Sequence, residues 1–101
     1  MIVITNTIKV EKGKGEQMIE RFKQPRAVQK MPGFVRLELF QRRNTEEYDE
    51  FTVSTAWESQ EAHDDWVKSD AFKKSHQGGR ADYIIDFKIQ TYDVVASHKP
   101  E

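Results

Sequence analysis

Residues 2–10 read IVITNTIKV, and their regular alternation fits a β-strand and little else. Ile2, Ile4, Asn6, Ile8 and Val10 share one face, while Val3, Thr5, Thr7 and Lys9 share the other. A row this aliphatic must be covered by other elements to be worth forming. Asn6 breaks the row. A buried amide without partners costs about 1–3 kcal/mol, so something should satisfy it. Nearby backbone or buried water is one answer, and an amide turned into a ligand cavity is the other.

The remaining segments are read against this strand. Glycines at 13 and 15 mark a turn, and a short helix follows over 16–23 with Met18, Ile19 and Phe22 as its inward stripe. Pro25 restricts Gln24 and ends the regular helix, and residues 26–30 add a further turn. Met31–Pro32–Gly33 turns the chain into a strand over 34–42. That strand places Val35, Leu37 and Leu39 on one face, with Phe34, Arg36, Glu38 and Phe40 on the other. A polar loop over 44–49 leads to a third strand over 50–57, where Phe51, Val53, Thr55 and Trp57 alternate with Thr52, Ser54 and Ala56. Ser59 is a good N-cap for a second helix over 60–76, with acids at 61, 64 and 65 near its start and lysines at 68, 73 and 74 toward its end. Residues 80–86 form an irregular connection with Tyr83, Ile84 and Ile85 packed, 87–96 form the last strand, and 97–101 are a tail.

The order is β-α-β-β-α-β, the split pattern of an α+β, ferredoxin-like sandwich. The 101 residues suffice for one domain with one modest core, spanning 1–101. Both helices fall on one sheet face. The second strand carries apolar bulk on its two faces, so the open face is expected to meet another copy of the sheet in a homodimer.

Sixteen Lys+Arg against seventeen Asp+Glu give a net charge of −1, which offers no general attraction to nucleic acid or anionic membrane. The absence of cysteine excludes disulfides and thiolate metal or heme ligation, and it suits the cytoplasm. The start of the sequence lacks a basic segment before its apolar run, so it is not read as a signal peptide. No stretch approaches the ~20 apolar residues of a membrane span.

One further stretch stands out. Trp66 precedes His76 by ten residues on the second helix, about 15 Å along a straight axis, a span suited to a large flat ligand. In a straight helix the two would differ by about 80° in azimuth, and Ser69–Asp70 is able to re-aim the last turn. Each residue also has an ordinary explanation. Trp66 and Phe72 can be core, and His76 can be a cation at a helix end closed by Gly78 or Gly79.

At this point the sequence resembles a known family. The TNT of residues 5–7, the MPGF of 31–34, the DEFTVSTAW of 49–57 and the DWVKSDAFKKSHQGG of 65–79 carry the likeness. DYIIDFKI at 82–89 and TYDV at 91–94 extend it over nearly the whole chain. It is similar to the IsdG-type heme-degrading monooxygenases of Gram-positive bacteria, among the antibiotic-biosynthesis-monooxygenase-like dimeric α+β barrels. MPGF and the third-strand pattern are widespread, whereas Asn6, Trp66 and His76 match a specific triad with its spacing. Pro25 departs from the family pattern.

The resemblance implies that heme is both substrate and oxygen-activating cofactor. His76 would be the axial ligand of the heme iron. Asn6 would donate its amide N–H to the oxygen species from the opposite side. Trp66 would press on the porphyrin and buckle it, and Phe22 and Phe72 would wall the cavity. Arg21, Lys23 and Arg26 are candidates for the propionates, although solvated surface charge is the stronger explanation for them. Electrons would come from an external reductase, because the chain has no glycine-rich dinucleotide fingerprint. The rivals are a cofactor-independent quinol or polyphenol monooxygenase, a non-catalytic heme-binding protein, and a purely structural domain.

Overall fold

The computed structural model describes residues 1–75 and 81–101. Its strands are β1 (Ile2–Glu11), β2 (Phe34–Gln41), β3 (Tyr48–Trp57) and β4 (Ile84–Asp93). Its helices are α1 (Gly15–Lys23), a short 3-10 helix (Ala27–Lys30), α2 (Gln60–Lys68) and α3 (Asp70–Ser75). The strands form one antiparallel sheet in the order β2-β3-β1-β4. This is the expected α+β, ferredoxin-like arrangement, with β1 and β3 central.

The register fixes the inner face. Ile2, Ile4, Asn6 and Ile8 lie opposite Trp57, Thr55, Val53 and Phe51 of β3. Across the other edge of β1, Asn6 lies opposite Ile89 and Ile8 opposite Phe87. Two apolar clusters sit on this face. One gathers Ile2, Val28, Trp57 and Trp66, and the other Ile8, Val10, Met18 and Phe51.

Two bulges change what alternation predicts. The β2–β3 register shifts between Phe34 and Arg36. Phe34 therefore joins the inner face and meets Trp57 edge to face at 5.5 Å, while Val35 turns outward at 41% exposure. This corrects the expectation that Val35 packs with Leu37 and Leu39. The β1–β4 register shifts between Lys9 and Val10, so β1 pairs with Asp86 and then Ile84, passing over Ile85. An extra bulge residue has no opposite number in the ladder, and Ile85 is accordingly exposed rather than packed. The strand also begins earlier than expected, at Ile84.

The turn after the 3-10 helix brings the chain very close to α2. Gly33 has φ +80°, and a Cβ there would lie 2.5 Å from the Ala62 Cβ. Its carbonyl accepts from the Glu58 N–H at 2.8 Å. Ser59 caps α2 as expected, its Oγ accepting from the Ala62 N–H at 3.1 Å.

The single helix expected over 60–76 is two helices. Ser69 adopts an extended conformation (ψ 155°) between them. Its Oγ donates to the Trp66 carbonyl at 2.6 Å and accepts from the Phe72 N–H at 3.1 Å, closing one helix and opening the next. A serine side chain that competes for both helix ends makes the break cheap. The straight-helix spacing from Trp66 to His76 therefore does not apply. His76 itself lies outside the described residues.

Candidate active site

Between the inner face of the sheet and the helices lies a cavity of about 560 Å³, open to the surface on one side. That is within the range of ligand sites, roughly 300–1,000 Å³. Its floor comes from β1, with Ile4, Asn6 and Ile8, flanked by Val53 and Thr55 of β3 and Phe87 and Ile89 of β4. Its roof carries Phe22 from α1, Trp66 from α2, and Phe72 and Ser75 from α3.

Asn6 is the one amide on a largely apolar floor. Its Oδ1 is buried without a hydrogen-bond partner. Strand geometry accounts for this, because its neighbours across the sheet are Val53 and Ile89, which offer no side-chain donor or acceptor. No backbone or side-chain donor among the described residues meets this Oδ1, and the side chain lines the cavity.

Trp66 is both core and wall. It is nearly buried, packs in the cluster with Trp57, and lines the cavity. The break at Ser69 decides its main aromatic contact. Residues six apart on one straight helix differ by about 240° in azimuth. With the chain re-aimed, Trp66 and Phe72 meet as a perpendicular pair at 5.5 Å. The sequence placed both at the site, but only the break brings them together.

Phe22 carries a contact that pattern reading missed. The Arg26 guanidinium lies 4.5 Å above its ring, a cation–π arrangement. Burial, and then the neighbouring charge of Arg21, hold Arg26 below the ordinary arginine range. Arg21 and Arg26 both line the main cavity and a smaller side pocket of about 220 Å³ beside Trp66. Lys23 instead pairs with Glu20 at 3.2 Å on the solvated side of α1. Of the three basic candidates, only the two arginines reach the cavity.

His63 was also missed. It lines the cavity from α2, one turn before Trp66. Its spacing of three residues from Trp66 was the available signal. Helix α3 ends at Ser75, which lines the cavity, one position before His76 in the chain. No cluster of His, Cys, Asp or Glu suited to a bare metal ion occurs among the described residues. No helix among them is long and apolar enough to cross a membrane.

A four-stranded antiparallel sheet, roofed on one face by helices over a mostly apolar cavity with one amide on its floor, defines a small α+β ligand-binding domain. The chain belongs to the antibiotic biosynthesis monooxygenase family, which it matches over residues 1–78. The heme-degrading monooxygenase of Bacillus thuringiensis (strain Al Hakam) is 49% identical over 102 residues, covering 99% of this chain and 95% of its own. Among solved structures, an antibiotic biosynthesis monooxygenase-type protein from Bacillus cereus superposes with a TM-score of 0.84 at 28% identity, covering 98% of this chain and 97% of its own. The heme degrader MhuD of Mycobacterium tuberculosis, solved with two hemes in its active site, gives 0.76 at 30% identity, covering 98% and 100%.

Proposed function

We propose that this protein is a heme-degrading monooxygenase that takes heme as substrate and opens the porphyrin ring with release of iron. The observation that carries the reading is the Asn6 side chain, with its Oδ1 buried and unpartnered, on the floor of a cavity roofed by Trp66. The relatives named for heme degradation support the same substrate.

The residues present fit a porphyrin. Its faces are apolar, and so are the sheet floor and the Phe22, Trp66 and Phe72 roof. Its acid groups suit a rim that carries Arg21 and Arg26. When bound, the heme supplies the iron at which dioxygen is activated. His76 is proposed as the residue that would hold that iron. Asn6 would offer its amide N–H as a hydrogen-bond donor within the cavity and holds no titratable proton, so it would orient without serving as an acid. Trp66, backed by the core, would bear on a porphyrin held in the cavity. Phe22 and Phe72 keep water out, which strengthens the Asn6 contact. Electrons come from an external reductase or small reductant in the cytoplasm.

A hemin titration followed by reductant tests the reading. Saturable binding at one hemin per chain with a shifted Soret band, and then loss of that band with iron release in the presence of catalase, is the expected result. His76→Ala should abolish or severely weaken turnover. An unmoved Soret band would end the heme reading, and a shifted band that persists under reductant would leave a heme carrier.

The working unit is proposed to be a homodimer. Phe87 and Ile89 belong to the inner face yet are 46% and 60% exposed, because no helix among the described residues covers that end of the sheet. Ile85, Tyr92 and Val95 add apolar area along β4 and just beyond it. A ten-residue edge strand of this kind invites pairing with another chain. Sedimentation at micromolar concentration should give twice the chain mass, and a monomer mass would refute the dimer.

A further inference from the structure

His63 plays no part in the proposal above, and its surroundings are unusual for an imidazole. It precedes Trp66 by three residues on α2, so the two side chains leave the same side of the helix. Its ring stands edge-on to Trp57, with centroids 5.5 Å apart at 76°. Trp57 is fully buried and braced by Phe34 at the same centroid distance. The Nδ1 of His63 is buried without a hydrogen-bond partner. The Asp64 carboxylate, 3.9 Å away, is beyond hydrogen-bond reach. A phenyl ring would satisfy the packing alone.

Among the described residues, few charges lie near the ring. Asp64 lies on its own helix. Arg21 on α1 and Arg26 before the 3-10 helix share the cavity wall. The strands bring only uncharged groups to that cavity, among them Leu37 of β2 and Val53 and Thr55 of β3.

We infer that His63 is a positioning residue whose neutral ring is the spacer between Trp57 and the cavity, fixing where α2 holds Trp66, and that protonation unseats it. A charged imidazolium donates from both nitrogens. At Nδ1 no acceptor lies within hydrogen-bond reach, so the protonated ring is expected to turn outward toward water and the Asp64 carboxylate, 3.9 Å away, and to draw the inner face of α2 with it. The one charged group acting on the ring is Asp64, and the two arginines lie elsewhere on the cavity wall. Burial already holds His63 below the ordinary histidine range, and Asp64 offsets only part of this. The folded chain thus takes up this proton less readily than the unfolded chain. The linked stability is complete at higher pH and is lost as pH falls below the ordinary value of 6.5.

The ligand consequence rests on the heme reading, but the structural one does not, so two measurements separate them. In the apoprotein, tryptophan emission and the thermal midpoint are followed from about pH 7.5 to about pH 5 for wild type, His63→Phe and His63→Gln. Wild type should show an emission step below pH 6.5, since a protonated imidazole quenches a neighbouring indole, together with a falling midpoint. His63→Phe should lack the step and hold its midpoint. His63→Gln, polar but untitratable, should lack the step too and serves if the Phe variant does not fold. In the second measurement, wild-type hemin affinity falls by up to about tenfold per pH unit below the step, and His63→Phe stays flatter. Superimposable pH profiles for wild type and both variants would overturn the inference. Failure of wild type to bind hemin at any pH would overturn the proposed function, while the apoprotein measurement would still decide the role of His63.

Discussion

Asn6→Ala should still bind hemin and should degrade it about 10²–10³-fold more slowly, the usual loss when one placed donor is taken from a water-poor site. The same position should behave oppositely in a stability measurement. The buried Oδ1 has no partner, so the fold carries an uncompensated desolvation cost there, of about 1–3 kcal/mol. Asn6→Val fills the gap in the row formed by Ile4 and Ile8 and places a β-branched residue between Val53 and Ile89. Its thermal midpoint should equal or exceed that of wild type. Slower turnover with undiminished stability is what a residue kept for chemistry produces. Wild-type turnover in Asn6→Ala would refute the assigned role, and a markedly less stable Asn6→Val would mean that the amide is bonded after all.

Trp57→Ala has the largest expected effect on folding. The side chain has no exposed surface, and it makes edge contacts with Phe34 on β2 and His63 on α2. Truncating a buried aromatic costs about 3–5 kcal/mol. A domain of 101 residues has roughly 5–15 kcal/mol to lose. Urea unfolding should therefore show the midpoint falling by a large fraction of its value with little change in slope. Trp57→Phe should lose much less. It keeps an aromatic edge for both neighbours and forfeits no hydrogen bond, since the Trp57 Nε1 is buried without an acceptor. A small effect of Trp57→Ala would show that α2, and with it Trp66, is held in place by something other than this contact.

The two positions differ in how they were legible. Asn6 stood out because alternation on a central strand leaves no doubt about which face a residue occupies, and one amide among aliphatics is visible by inspection. Phe22 was legible as an inward residue from helical periodicity, while Trp66 and Phe72 were legible only as aromatics suited to core or wall. Periodicity does not say whether that face meets core or cavity. Trp66 does both. His63 left only a spacing, because an imidazole near a helix start is ordinary until Trp57 and the cavity are seen beside it. Arg26 lay outside any periodic pattern, and its seat over Phe22 follows from the non-helical path of the chain after α1.

By itself the sequence determined the strand and helix order, the single sheet, the aliphatic floor with its one amide, and the N-cap of α2. These depend on side chains a few positions apart, where backbone geometry imposes fixed periods. Only the tertiary structure decided that Val35 and Ile85 turn outward, that Trp66 and Phe72 meet face to edge, and that two of three basic residues reach the cavity. Each of these follows from a bulge, a helix break or a contact between distant segments. One displaced residue in a ladder, or one serine bonding both ways between helices, resets the faces of everything that follows.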